Sequence, residues 1–276
     1  MADLHDHETL DAVWQRAVVE HRDRPFLCVP ASASRDYATG GLELTYAAAA
    51  AEVDRLTEAY RAAGYGLGHR VALLLDNRPE HVLHRLALSR IGTSCVPINP
   101  DYRPAEIAYL VEHSEPELVL ALAAREEQVG AGLVMSSHKP HLRLLEAGAP
   151  PPPRSQARPG EVTAATEGQI LYTSGTTGRP KGCILSQGYE VASGAWYASL
   201  PGMARLGRAR ERIYNPLPLY HVNAGVVSLI GAIVGGNCQI LPDRFHPERW
   251  WPEVSATRAS VIHYLGVVIQ MLMKRA

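Results

Sequence analysis

Short apolar runs alternate with longer helical stretches along most of the first half of this 276-residue chain. The runs RVALLL (70–75), TSCVPI (93–98) and ELVLAL (117–122) have the length and hydrophobicity of buried strands. Between them, the spacing of apolar residues predicts helices over 78–91 and 104–113. Strands that alternate with helices of about ten to fifteen residues are typical of βαβ units. The sequence therefore predicts an α/β fold of mostly parallel sheets flanked by helices.

Further elements extend this pattern in both directions along the chain. Thr45 is expected to cap an alanine-rich helix that ends near Gly64. His81 and His84 are expected on a solvated helix face, because no metal-ligand context surrounds them. The remaining predictions are helices over 8–21, 189–199 and 224–234, and strands over 42–46, 212–215 and 238–241.

A proline-rich segment divides the chain into two predicted α/β subdomains. GAPPPPRSQARPG (148–160) is polar and rich in proline, which is typical of a surface connection. We expect a first subdomain over 1–168 and part of a second over 169–276, which would begin at the glycine-rich stretch described below.

Composition and charge exclude several classes of protein. The net charge of −1, with basic residues scattered, argues against a nucleic-acid-binding protein. No apolar run approaches the length of a membrane span, and the acidic N-terminus lacks a signal-peptide core. The four cysteines form no CxxC pair, so neither a zinc site nor a disulfide framework is predicted. These features predict a cytoplasmic protein.

The stretch ILYTSGTTGRPKG (170–182) has the residue types that bind a polyphosphate. Glycines let backbone N–H groups approach a ligand, hydroxyls add short donors, and Lys181 adds positive charge. The spacing differs from that of the P-loop, GxxxxGK[ST], and the apolar CILS that follows predicts a strand rather than a helix. We therefore predict a phosphate-binding flap between two strands. Its predicted ligands are Thr173, Ser174, Gly175, Thr176, Thr177, Gly178 and Lys181.

Three stretches of the chain resemble one known family. YTSGTTGRPKG (172–182) closely resembles the phosphate-loop signature of the adenylate-forming (AMP-binding) enzyme superfamily. The segment from LTYAAAA to VPINP (44–100) is similar to the opening half of such enzymes, and NPLPLYHVNAG (215–225) is similar to their next motif. The last motif resembles that of the acyl-CoA synthetase (ligase) type more than that of amino-acid-activating domains.

The resemblance implies a reaction in two halves. A carboxylate would attack the α-phosphate of ATP and release pyrophosphate, and the thiol of coenzyme A would then displace AMP from the acyl-adenylate. ATP, Mg²⁺ and coenzyme A would be the cofactors, and a small carboxylic acid the substrate. The resemblance implies catalytic roles for Lys181 and His221, and an acyl pocket lined by Tyr220, His221, Asn223 and Gly225.

The resemblance also implies that the chain is the N-terminal portion of a longer enzyme. Later family motifs for adenine, ribose and Mg²⁺, and the small C-terminal domain, have no counterpart before Ala276. The fold would be part of the multi-layer large N-terminal domain, with little activity alone. The apolar segment 261–273 would then be exposed, so we expect self-association or a homodimer.

Two alternatives remain open on the sequence alone. The chain could belong to an adenylation domain that loads a carrier protein instead of coenzyme A. It could also be a non-catalytic nucleotide-binding module. The sequence does not name the carboxylic acid.

Overall fold

The structure, a computed structural model, describes residues 8–173, 179–202 and 205–274. The helices are α1 Leu10–His21, α2 Tyr46–Ala63, α3 Pro79–Arg90, α4 Pro104–Ser114, α5 Glu126–Met135, α6 Gln187–Ala198, α7 Leu229–Gly235, α8 Trp250–Ala256 and α9 Gly266–Met273. A 3-10 turn, Ala123–Arg125, precedes α5, and a π-helix, Val222–Ser228, precedes α7. The strands are β1 Pro25–Val29, β2 Leu42–Thr45, β3 Arg70–Leu74, β4 Ser94–Pro97, β5 Leu118–Ala121, β6 His141–Leu144, β7 Glu167–Thr173, β8 Lys181–Ser186, β9 Arg212–Tyr214, β10 Cys238–Ile240 and β11 Val261–Ile262.

The strands form two mainly parallel sheets, as the sequence predicts. The first sheet has the order β6-β5-β3-β4-β7-β8, and only β7 and β8 pair in antiparallel fashion. The second sheet has the order β11-β9-β10-β1-β2, and only β1 and β2 are antiparallel. The α/β fold class is therefore confirmed.

The two sheets are interleaved along the chain. Strands β7 and β8 extend the same sheet as β3–β6, although the predicted subdomain boundary lies between residues 168 and 169. Strands β1 and β2, near the N-terminus, pair with β9–β11 in the other sheet. That boundary therefore does not separate the two sheets, and the division into 1–168 and 169–276 stays a prediction about folding units.

Helices fill a central layer between the sheets and cover both outer faces. Along β3, Val71 and Leu73 contact the central layer, whereas Ala72 and Leu74 contact the outer helices α4 and α5. This alternation follows from the period of two in a strand. The central layer contains α1, α2, α3, α6 and α7, and helices α8 and α9 cover the outer face of the second sheet. Burial on both faces explains why the interior strands β1, β3 and β5 are almost uniformly apolar.

Helix α2 has both of the ends that the sequence predicts. The Thr45 hydroxyl accepts a hydrogen bond from the Ala48 backbone N–H at 3.1 Å, which caps the first turn. Gly64 ends the helix with φ 99°, a left-handed conformation that favours glycine. Across the described ranges, no helix is both long and apolar enough to cross a membrane.

The prediction that His81 and His84 face solvent is wrong. Both side chains are buried, because α3 lies between the two sheets and is covered on nearly every side. His84 Nδ1 shares a 2.8 Å hydrogen bond with the hydroxyl of Tyr60. Burial lowers the pKa of each imidazole to about 3, so both are neutral in the folded chain near pH 7.

These two histidines should make the chain less stable in mild acid. Below about pH 6.5 the unfolded chain binds protons that the folded chain does not take up until about pH 3, so the free energy of unfolding falls as pH falls. Each histidine contributes at most about 1.4 kcal/mol per pH unit in this window. Urea unfolding between about pH 7 and about pH 5 measures the slope. In a His84→Gln variant the slope should be shallower, and an unchanged slope would contradict the assignment.

Candidate functional site

A cleft opens at the carboxyl ends of the parallel strands, where the connections of the first sheet change direction. Helix α3, after β3, packs in the central layer, whereas α4, after β4, packs on the opposite face of the sheet. Neighbouring strands whose connections leave on opposite faces create a crevice, which is where open α/β sheets bind ligands. Asp76 and Asn77 follow β3 here, and Asp101 follows β4. With residues from the segments that follow β9 and β10 and from the start of α9, they line a cleft of about 360 Å³.

The predicted phosphate flap begins and ends at this same edge. Strand β7 runs parallel to β4, so its carboxyl end at Thr173 lies beside that of β4. Thr173 pairs directly with Lys181, the first residue of β8, and both are exposed. The prediction of a loop between two strands is therefore confirmed. Ser174, Gly175, Thr176, Thr177 and Gly178 lie outside the described residues.

Helix α4 holds the returning end of this hairpin. The Tyr109 hydroxyl donates to the Pro180 carbonyl at 3.0 Å, and the guanidinium of Arg179 lies 5.8 Å from the centre of the Tyr109 ring. Tyr172, on β7, shares a 2.8 Å hydrogen bond with His113 Nδ1. These contacts fix the strand ends from which Lys181 projects.

Asn77 fixes the segment that leads to the predicted acyl pocket. Its side-chain amide donates to the Leu217 carbonyl at 2.9 Å, and its carbonyl oxygen accepts from the Leu219 N–H at 2.8 Å. An asparagine that bonds both polar groups of a passing backbone holds that backbone in one register. Because Asn77 follows β3, this bond pair ties the first sheet to the segment before Tyr220.

Tyr220 and His221 lie side by side, with ring centroids 4.7 Å apart. The Tyr220 ring lines the cleft, where burial and the nearby Asp101 raise the pKa of its hydroxyl to about 12. Surrounding atoms desolvate the His221 imidazole enough to lower its pKa, although its side chain remains exposed. His221 is therefore neutral near pH 7 and able to accept a proton or a hydrogen bond.

The predicted helix over 224–234 begins as the π-helix Val222–Ser228, an irregularity that is frequent at functional sites. Gly225 lies inside it, and a Cβ at this position would lie 2.1 Å from the Leu219 carbonyl oxygen. The close approach of these two backbones requires glycine here.

Asn223 belongs to a hydrogen-bonded chain that the sequence did not reveal. Its side-chain oxygen accepts from Asn215 Nδ2 and from His263 Nδ1, both at 3.0 Å. The Tyr197 hydroxyl donates to His263 Nε2 at 2.6 Å, and burial lowers the pKa of His263 to about 4. A neutral His263 satisfies both of its bonds, so the Asn223 side chain is held in one orientation.

A buried ion pair supports the π-helix from behind. Arg85 on α3 and Glu190 on α6 are almost fully buried, and Arg85 Nη2 lies 3.2 Å from Glu190 Oε2. Arg85 Nη1 donates a short hydrogen bond to the Gly225 carbonyl. Burial raises the pKa of the Glu190 carboxyl and the guanidinium opposes that shift. Arg85 therefore joins two central-layer helices to the backbone beside Asn223.

The structure brings some of the predicted site residues together. Thr173 and Lys181 are cross-strand partners. Tyr220, His221, Asn223 and Gly225 follow one another into the π-helix, which the contacts of Asn77 and Arg85 hold in place. Among these, only Tyr220 lines the 360 Å³ cleft. Sequence reasoning missed Asn77, Arg85, Asn215 and His263. Asn215 follows β9 directly and Asn77 lies three residues after the end of β3, which was a usable signal, whereas nothing in the local pattern marks Arg85 or His263.

Comparison with protein families and curated proteins gives a consistent result. A family model described as AMP-binding enzyme matches residues 14–276. The chain is 30% identical to a sulfoacetate–CoA ligase of Cupriavidus necator, over 96% of this chain and 51% of that protein. It is 29% identical to a medium/long-chain-fatty-acid–CoA ligase of Mycobacterium tuberculosis, over 97% of this chain and 43% of that protein. The chain thus spans about half the length of these curated relatives.

Solved structures share the fold at low sequence identity. A long-chain-fatty-acid–CoA ligase from Archaeoglobus fulgidus superposes with a TM-score of 0.82 at 16% identity, over 96% of this chain and 53% of that one. An O-succinylbenzoate coenzyme A synthetase from Bacillus subtilis, in complex with AMP, gives a TM-score of 0.77 at 20% identity, over 98% and 65%.

Proposed function

The chain belongs to the AMP-binding enzyme family, and from this premise we propose that it contributes to an ATP-dependent acyl-CoA synthetase (ligase). In the proposed reaction a carboxylate oxygen bonds to the α-phosphorus of ATP while the bond to the β-phosphate oxygen breaks, so that pyrophosphate leaves. The coenzyme A thiol then attacks the acyl carbon, loses its proton, and AMP leaves. The observation that carries the proposal is the β7–β8 hairpin, which sets Thr173 against Lys181 at the edge of the sheet.

The hairpin would bind the departing pyrophosphate. The Thr173 hydroxyl and the Lys181 ammonium project from paired strand ends, and residues 174–178 between them would add hydroxyls and backbone N–H groups. A cation that is positioned before the reaction stabilises the negative charge that develops on the leaving group. We assign phosphate binding to Thr173, Ser174, Gly175, Thr176, Thr177, Gly178 and Lys181 on this basis.

Tyr220, His221, Asn223 and Gly225 would bind the acyl substrate. The neutral His221 imidazole would hydrogen-bond near the nascent acyl-adenylate without adding a full charge. The hydrogen-bonded chain through His263 would keep the polar edge of Asn223 fixed. The relatives act, by name, on sulfoacetate and on fatty acids, which supports a small or fatty carboxylic acid and coenzyme A as the acceptor.

Mg²⁺ would enter the reaction with the phosphates of ATP. Among the residues that the structure describes, no group of three His, Cys, Asp or Glu side chains could hold a metal ion. The proposal therefore treats Mg²⁺ as part of the nucleotide substrate. A cytoplasmic location stays a prediction from the sequence.

Carboxylate-dependent ATP–pyrophosphate exchange tests the proposed reaction. We would assay this chain with a panel of short, long, aromatic, sulfonated and carnitine-like acids. Exchange that depends on one acid class would support adenylation and identify the substrate class. A separate assay of acyl transfer would show whether coenzyme A or a phosphopantetheinyl carrier is the acceptor. Since the resemblance implies slow turnover, direct calorimetric binding of ATP accompanies the assay. A chain that binds neither ATP nor pyrophosphate would contradict the proposal.

Lys181→Ala should weaken binding of pyrophosphate and ATP about tenfold. This is the lower end for a hydrogen bond to a charged group, chosen because Lys181 is exposed. Calorimetric titration of the variant with pyrophosphate measures the loss. Lys139→Ala is the matched control, because Lys139 precedes β6 at the opposite edge of the same sheet and donates to backbone carbonyls of α5. Equal affinities in the wild type and Lys181→Ala would exclude Lys181 from the proposed phosphate flap.

We also propose that this chain self-associates through α9. Val268 packs into the core beneath the second sheet, whereas Leu265, Val267, Ile269 and Met271 on the same segment are exposed. Exposed apolar side chains concentrated on one short segment favour association. Light scattering should give a mass above 30.1 kDa for the wild type and a lower mass for a Val267→Lys/Ile269→Glu variant. A monodisperse wild-type monomer would contradict this.

A further inference from the structure

A second concave site lies at the amino ends of the parallel strands of the second sheet, whereas the cleft lies at their carboxyl ends. Strands β1, β9 and β10 are parallel, and their amino ends at Pro25, Arg212 and Cys238 border a pocket of about 340 Å³. Four arginines line this pocket: Arg24, Arg210, Arg212 and Arg258. We call it the basic pocket, and it shares no lining residue with the cleft.

The arginines of the basic pocket are poorly compensated by acidic groups. Arg212 is paired with Glu43 at 2.8 Å, and Arg24 donates to the Ala209 carbonyl. Within the described ranges, the side chains of Arg210 and Arg258 form no hydrogen bond or ion pair. The one acidic lining residue, Glu211, instead accepts from Gly207 N–H at 3.0 Å and from the Ser260 hydroxyl at 2.6 Å. Such a concentration of positive charge is unexpected in a chain whose net charge is −1.

The backbone around the basic pocket is also strained. Of the described residues, only three that are not glycine have a positive φ, and two of them line the pocket: Ala209 at 52° and Arg258 at 53°. A left-handed conformation is unfavourable for an L-residue with a Cβ, and such strain clusters at binding sites. Glycine at position 258 would relieve this strain, yet the residue there is an arginine that lines the pocket.

We propose that the basic pocket binds a small phosphate-bearing anion with two or three phosphate groups. Guanidinium groups match phosphate oxygens in geometry and form paired, charge-assisted hydrogen bonds. Three guanidiniums without a carboxylate partner suit a polyphosphate better than a single carboxylate. The volume is within the range of small-ligand sites. Burial raises the pKa of Cys238 to about 12, so this wall residue is a neutral thiol and adds no competing negative charge.

Residue-resolved protection tests this site on the whole chain. Phenylglyoxal modifies accessible arginines, and Arg24, Arg210 and Arg258 are exposed. We expect pyrophosphate to protect Arg210 and Arg258 but not the exposed control Arg154, as measured by peptide mass spectrometry at constant ionic strength. Equal modification with and without pyrophosphate would overturn the proposal. Protection by anionic phosphatidylglycerol vesicles but not by pyrophosphate would also overturn it and would indicate a membrane-facing surface.

Variants separate this site from the proposed phosphate flap. In a Lys181→Ala background, Arg210→Ala/Arg258→Gly should weaken the remaining pyrophosphate binding about tenfold. Arg258→Gly alone should raise the melting temperature, because glycine relieves the left-handed strain, while it lowers pyrophosphate affinity. If Lys181→Ala alone abolishes pyrophosphate binding and the pocket variants have no effect, pyrophosphate binds only at the flap. That result would refute the basic-pocket proposal. The reverse pattern would support the pocket and argue against the flap.

Discussion

Alanine in place of Arg85 is expected to lower the free energy of unfolding by about 3–5 kcal/mol. The guanidinium is buried against Glu190 at 3.2 Å and also donates to the Gly225 carbonyl. Removing it leaves the Glu190 carboxyl group buried without its charge partner and the Gly225 carbonyl oxygen buried without its donor, and that loss exceeds the lost attraction itself. Urea unfolding followed by circular dichroism measures the change.

Two controls sharpen this prediction. Arg61→Ala breaks an exposed ion pair with Glu58, 2.9 Å long, and should change the free energy of unfolding by less than about 1 kcal/mol. A double variant, Arg85→Met/Glu190→Leu, should recover most of the stability, because no unpaired charge remains buried. The Gly225 carbonyl would still lack its donor, so substrate binding near the π-helix should remain impaired while the fold recovers. A stable Arg85→Ala single variant would contradict the role given to this pair.

Gly225→Ala is expected to lower acid-dependent pyrophosphate exchange about 100-fold, because displacing site residues by about 1 Å has effects of that size. The new Cβ would lie 2.1 Å from the Leu219 carbonyl oxygen, so one of the two backbones must move. Asn77 holds the Leu217–Leu219 segment by two hydrogen bonds, which leaves the π-helix beside His221 and Asn223 to shift. Overpacking of this kind should also destabilise the chain by about 1–3 kcal/mol.

Gly130→Ala is the matched control for this substitution. Gly130 lies within α5, and a Cβ there would meet nothing within 4 Å. Alanine should therefore leave exchange unchanged and stabilise the helix by up to about 1 kcal/mol. If the wild type exchanges too slowly to compare, calorimetric binding of ATP and the carboxylic acid replaces the assay. Unchanged acid binding in Gly225→Ala would show that the close approach to Leu219 does not shape the proposed acyl pocket.

The sequence alone determined the local elements and the position of the β7–β8 hairpin. Periodicity located β3, β4 and β5, the threonine cap and Gly64 bounded α2, and the apolar runs on either side of residues 174–180 predicted the β7–β8 hairpin. These signals are local: a cap, a turn or a strand is set by residues close to it in the chain. The family motifs lie in the same contiguous stretches, which is why they could be read directly.

Only the tertiary structure decided which polar residues are buried and which strands are neighbours. The sequence did not predict strand β1, yet it is an interior strand of the second sheet because β10, from the far end of the chain, pairs with it on one side and β2 on the other. Helix α3 carries His81, His84 and Arg85, which suggest a solvated face, but the two sheets enclose it. The physical reason is the same in each case. The contact that decides the outcome joins residues far apart in the chain: β10 pairs with β1, and Glu190 on another helix pairs with the buried Arg85 and so reduces the cost of burying its charge.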